Sequence, residues 1–84
     1  MSNFNDFVDL VHGIKDKDML EDLLLGIMTP KERDELGRRL EIVQLLVKGE
    51  SQVRIAKLLG VGIATVTRGS KELSAGRFKI LRKK

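Results

Sequence analysis

The chain has no cysteine among its 84 residues, so it can build neither a disulfide framework nor a thiolate metal site. It has a single histidine, His12, which sits beside an apolar stripe and reads as packing or surface. Its acidic residues fall on charged helical faces with no discernible pairing, which leaves acid–base and nucleophilic catalysis little to stand on. No glycine pattern forms a phosphate loop. No apolar run approaches the roughly 20 residues that span a bilayer, and the acidic start MSNFNDFVD lacks the basic opening of a signal peptide. Internal repeats and a linker long enough to separate domains are also missing. These absences leave a small, soluble, cytoplasmic chain that is not an enzyme. A chain of this length is marginal alone and is often stabilised by oligomerisation.

Charge is unevenly distributed. Residues 1–47 hold six Lys/Arg against ten Asp/Glu, net −4; residues 48–84 hold ten against two, net +8. The two halves account for the formal charge of +4. A basic half beside an acidic one suits a polyanion bound on one side only.

Taken in order, Phe4, Phe7, Val8 and Val11 recur at helical spacing, and Gly13 ends that helix. After the charged connector Lys15 to Asp18, Met19, Leu20, Leu23, Leu24 and Ile27 line a second helix, with Leu25 on its opposite side. A helix apolar around so much of its girth, in so short a chain, predicts burial against a second subunit. Thr29-Pro30-Lys31-Glu32 is a capping box with proline at the first helical position, and the helix it opens runs to Gly49. Leu36, Leu40, Val43 and Val47 form one stripe on it, widened by Ile42, Leu45 and Leu46. Gly37, inside this helix, predicts the close approach of a neighbouring helix or a ligand.

The stretch SQVRIAKLLGVGIATVTRGSKEL, residues 51–73, reads as two short helices split by Gly60-Val61-Gly62. Ile55, Leu58 and Leu59 share a face of the first; Ile63, Val66 and Leu73 line the second. Glycine permits the positive φ that reverses the chain, Val61 can plug the gap between the helices, and Ala56 permits their close crossing. This is the pattern of a helix-turn-helix, whose second helix enters the major groove of DNA. An ordinary helical hairpin fits the geometry as well. The outward chemistry favours nucleic acid: Gln52, Arg54, Lys57, Thr65, Thr67, Arg68 and Lys71 carry groups suited to phosphates and base edges. Gly62, Ile63, Ala64 and Thr65 would face the bases, while Gln52, Thr67 and Lys71 would hold phosphates. Beyond Gly76, residues 77–84 form a short basic tail that is a frayed turn or a disordered arm, and residues 1–76 form one helical dimerisation and DNA-binding domain.

GVGIATVTRGS, together with MTPKERDELGRRLEIVQLL at residues 28–46, resembles the tryptophan repressor family of bacterial dimeric regulators. The likeness runs from about Gly26 to Leu73. It implies an all-α, intertwined helical homodimer with one helix-turn-helix per subunit, acting as a sequence-specific repressor on an operator. It also implies an L-tryptophan corepressor, with Thr29, Arg39, Arg68 and Gly69 mapping onto the ligand pocket. There an indole lies between two arginines, and a carboxylate takes hydrogen bonds from an arginine and the threonine; planar guanidinium suits both tasks. Beside one residue deleted after Gly49-Glu50, the chain departs from the family pattern in four places. Val53 stands where a base-contacting arginine is expected, Gly26 replaces a leucine, Glu72 replaces a serine near the ligand's amino group, and the C-terminal helix is nearly absent. Glu72 either pairs with Arg68 or grips the ligand's ammonium. Two rivals keep a place beside this reading: a ligand-independent DNA-binding protein of the same fold, and a helical protein–protein interaction module.

Overall fold

The computed structural model describes residues 2–82, and these form helices with no strand. In chain order the helices are α1 (Phe4–Gly13), α2 (Lys17–Ile27), α3 (Pro30–Val47), α4 (Gln52–Leu59), α5 (Ile63–Ser74) and α6 (Lys79–Arg82). Among the described residues no helix is long and apolar enough to cross a membrane. The chain divides between Asp34 and Glu35 into two compact units, and α3 runs through the division.

The first unit is defined by its helix caps. Asn3 accepts from the Asp6 N–H at 3.1 Å while the Asp6 carboxylate accepts from the Asn3 N–H at 2.9 Å, a reciprocal box around the start of α1. Asp16 accepts from the Asp18 N–H at 3.0 Å to open α2. The box read from Thr29 to Glu32 is formed: the Glu32 N–H donates to Thr29 Oγ1 at 3.1 Å, and the Thr29 N–H donates to Glu32 Oε1 at 2.8 Å. That backbone N–H, followed by the Thr29 side chain, holds the Glu32 carboxyl below its ordinary pKa, because both interactions favour the ionised form. The apolar stripes of α1 and α2 are as expected, yet neither helix contains a buried residue. Phe7, Val11, Leu20, Leu23 and Leu24 are half-buried, and Phe4, Met19 and Ile27 are exposed.

The second unit has a core. Ile42, Ile55 and Val66, one each from α3, α4 and α5, are almost fully buried, and Leu45, Leu46, Ala56, Leu59 and Val61 pack against them. Val61 and Ala56 therefore fill the positions assigned from sequence. Two apolar assignments change. On α3 the inward face is Ile42, Val43, Leu45 and Leu46, whereas Leu36 and Leu40 are about half exposed (50% and 48%). Leu58 does not share the face of Ile55; the core lies toward Ile55 and Leu59, and Leu58 points outward. At Gly37 a built Cβ would meet nothing within 4 Å among the described residues, so the close approach read there is not made by this chain's own helices.

Glycines end two of these helices by the same device. At Gly49 (φ 97°) the Gly49 N–H returns to the Leu46 carbonyl and the Glu50 N–H to that of Leu45. At Gly76 (φ 99°) the Gly76 N–H returns to Leu73 and the Arg77 N–H to Glu72. Both are Schellman closures, in which a left-handed residue satisfies the last carbonyls of the helix. The basic segment after Gly76, expected as a frayed turn or arm, contains the single turn α6, and the Arg82 guanidinium donates to the Leu73 carbonyl. Lys83 and Lys84 of that segment lie outside the described residues.

Candidate nucleic-acid interface

Ser51 accepts from the Arg54 N–H at 3.1 Å and so starts α4 one residue before Gln52. Gly60 (φ 66°) ends it in the left-handed conformation, and the Val61 N–H donates to the Ala56 carbonyl at 3.1 Å. Gly62 then opens α5 with no side-chain cap. The first turn of α5 consequently presents backbone N–H groups unscreened by a capping oxygen.

The residues assigned to base edges are together on that turn. Gly62, Ile63, Ala64 and Thr65 are all exposed, Ile63 at 48%, and the next residue, Val66, is wholly buried. Burial of Val66 against Ile42 and Ile55 anchors α5 through its interior face, leaving its first turn outward. Lys71 and Arg68 are exposed further along α5, and Lys57 is exposed on α4. Arg54 is exposed too, and its Nε lies 3.0 Å from Glu50 Oε1.

Gln52 and Thr67 are brought together in a way their separate assignment to phosphates did not foresee. Both are half-buried, and Thr67 Oγ1 donates to Gln52 Oε1 at 2.7 Å, joining the first residue of α4 to the second turn of α5. The only sequence signal for this bond is a polar pair at positions flanking the apolar stripes, which sequence alone cannot match across 15 residues.

The residues assigned to a ligand fall in both units. Thr29 belongs to the first unit, where its hydroxyl accepts from the Glu32 N–H. Arg39, Arg68, Gly69 and Glu72 belong to the second. Arg39 is exposed, with its guanidinium 3.7 Å from Glu35. A pairing of Glu72 with Arg68 is not what forms: Glu72 Oε1 lies 3.7 Å from Arg77 Nε, because the Gly76 closure turns the chain back and returns Arg77 to the end of α5. Gly69 faces α3, where an added Cβ would lie 3.4 Å from Ile42, 3.7 Å from Leu46 and 3.8 Å from Val43. These are ordinary van der Waals distances, so α5 is seated on α3 with room at Gly69 for a methyl.

The family described as Trp repressor protein matches residues 2–81, well beyond the stretch on which the resemblance was drawn. A Trp operon repressor homolog of Vibrio atlanticus (strain LGP32) is 50% identical over 74 residues, covering 87% of this chain and 76% of its own. The Trp operon repressor homolog of Vibrio campbellii (strain ATCC BAA-1116) is 46% identical over 74 residues, with 87% and 74% covered. That of Vibrio cholerae serotype O1 is 47% identical over 75 residues, with 88% and 73% covered. The chain belongs to the Trp repressor family, a family of transcriptional regulators and not of enzymes.

Proposed function

We propose that this protein is a homodimeric helix-turn-helix repressor that binds a double-stranded DNA operator through α5, under the control of L-tryptophan or a related amino acid corepressor. The observation that carries the reading is the first turn of α5: Gly62, Ile63, Ala64 and Thr65 exposed together at an uncapped helix start, directly before a buried Val66. The N-terminal residues of a recognition helix are those that reach base edges. Ile63 and Ala64 suit thymine methyls, and Thr65 can donate or accept. Lys57, Arg68 and Lys71 supply exposed cations for phosphates around them. Few long side chains reach toward bases, so readout rests on small groups and bridging water.

Dimerisation is supported by apolar surface that the chain does not cover itself, on α1, α2 and the outward face of α3. A second copy presenting the same faces would bury them by two-fold symmetry. Corepressor control is supported by retention of Thr29, Arg39, Arg68 and Gly69, and by the pairing of Glu72 with Arg77, which leaves the Arg68 guanidinium clear of it. Selection of a randomised duplex library with and without L-tryptophan tests the whole reading. One motif enriched only with the amino acid is the expected result. The same motif enriched equally in both arms makes the protein ligand-independent, and no enrichment in either favours the interaction module.

A further inference from the structure

The bond between Gln52 and Thr67 has a chemical consequence for DNA contact. A hydroxyl has one hydrogen, and that of Thr67 is given to Gln52 Oε1 at 2.7 Å. Phosphate oxygens only accept, so a Thr67 in this arrangement has nothing to donate to them. The amide of Gln52 has an acceptor side and a donor side. Its acceptor is engaged by Thr67, so the bond uses neither of the two amide N–H groups. The bond also fixes a flexible side chain beforehand, so a contact made by Gln52 costs less ordering on binding.

We propose that Thr67 is a positioning residue, which acts on DNA through Gln52 by holding its amide N–H groups outward toward a backbone phosphate. The two side chains form one contact, where their separate chemistry suggests two. This rests on the nucleic-acid reading above.

The test uses the full chain, saturating L-tryptophan and the duplex best enriched in the selection, with affinity followed by fluorescence anisotropy. Gln52→Ala and Thr67→Val should each weaken binding roughly tenfold, the scale of one hydrogen bond to a charged group. The double variant should bind about as well as either single one, and Thr67→Ser should bind like the parent. Gln52→Glu keeps the acceptor for the Thr67 hydroxyl and removes the amide donor. It should therefore melt at the parent temperature yet lose affinity, and the loss should persist at a salt concentration that screens its added charge, a split that a merely structural bond would not produce. Losses that multiply in the double variant, to roughly a hundredfold, would establish two independent contacts and overturn the proposal. Parent-like affinity of Thr67→Val or of Gln52→Glu would overturn it as well. Those results differ from failure of the nucleic-acid reading itself, in which the parent protein binds no duplex.

Discussion

The two units of this chain are built from similar helices with very different burial. Both have well-formed caps: Asn3, Asp16 and Thr29 in the first, Ser51 in the second. Yet α1 and α2 bury no residue, and Phe4 is 77% exposed, whereas Ile55 and Val66 of the second unit are 0% exposed. Local hydrogen bonds thus define helices without supplying a core. The second unit closes α3, α4 and α5 on one another and can hold α5 by itself. The first presents apolar surface that its own helices leave exposed.

The largest effect expected from breaking this contrast is on assembly. Sedimentation equilibrium at low micromolar concentration should find two chains per particle and no folded monomer. Ile27→Glu, a nearly neutral change on a solvated face, should then dissociate or unfold the protein, because it would bury an unpaired charge. A well-folded monomeric parent would remove the basis for the intertwined dimer. In the second unit, Ile55→Ala should cost about 2–5 kcal/mol through lost burial and the cavity left behind, measured by urea denaturation. A cost under about 1 kcal/mol would mean that this cluster does not hold the unit together.

Ligand effects come next. If the Glu72 carboxylate takes the ligand's ammonium, titration calorimetry should find L-tryptophan binding at least about tenfold tighter than indole-3-propionate, which lacks that group. Equal affinities on the parent would exclude this role, and binding gained only on Glu72→Ser would mean that Glu72 blocks the pocket. Arg68→Ala should abolish the response of DNA binding to L-tryptophan while leaving the fold intact.

On DNA, Lys71→Ala should weaken specific and non-specific binding alike and lower the salt slope by about one. Thr65→Ala should instead lower sequence preference by about 1–3 kcal/mol at one position. Unchanged affinities for both variants would turn α5 away from the groove.

The smallest effect lies at the start of α3. The Glu32 carboxyl titrates below its ordinary value, so its contribution is fully present above that value and is lost as the pH falls through the folded one. Glu32→Gln should therefore lower stability slightly at neutrality, where that contribution is fully present, and change little in acid, flattening the acid limb of stability against pH in denaturation curves. An unaltered acid limb would show that the Thr29 box contributes no pH dependence.

What the sequence made legible was mostly local. The Thr29 box, the Gly49 stop and the turn at residues 60–62 all depend on residues within a few positions of one another. Helical periodicity identified both faces of α3, but it could not say that Ile42 and Leu46 turn inward while Leu36 and Leu40 stay outside. That choice depends on what packs against the helix. Arg77 escaped notice as the partner of Glu72 because a helix pairs residues three and four apart, and only the reversal at Gly76 brings a residue five away into reach. The bond from Thr67 to Gln52 needed the tertiary arrangement of two helices. The ligand residues were legible through resemblance alone, since Arg39 and Arg68 have the surroundings of ordinary surface arginines.

Gly69 carries a consequence for how such a molecule can change. An alanine methyl there would sit at ordinary van der Waals distance from Ile42, Leu46 and Val43, so this side of α5 is bounded by the core with room for about one carbon. Thr65 and Lys71, on the same helix, meet solvent and can be exchanged without disturbing that seat. Around one helix, then, one azimuth is bounded by the core and another is open to solvent. New DNA preferences can be sampled by replacing the open side chains one at a time, with the helix held at constant depth throughout.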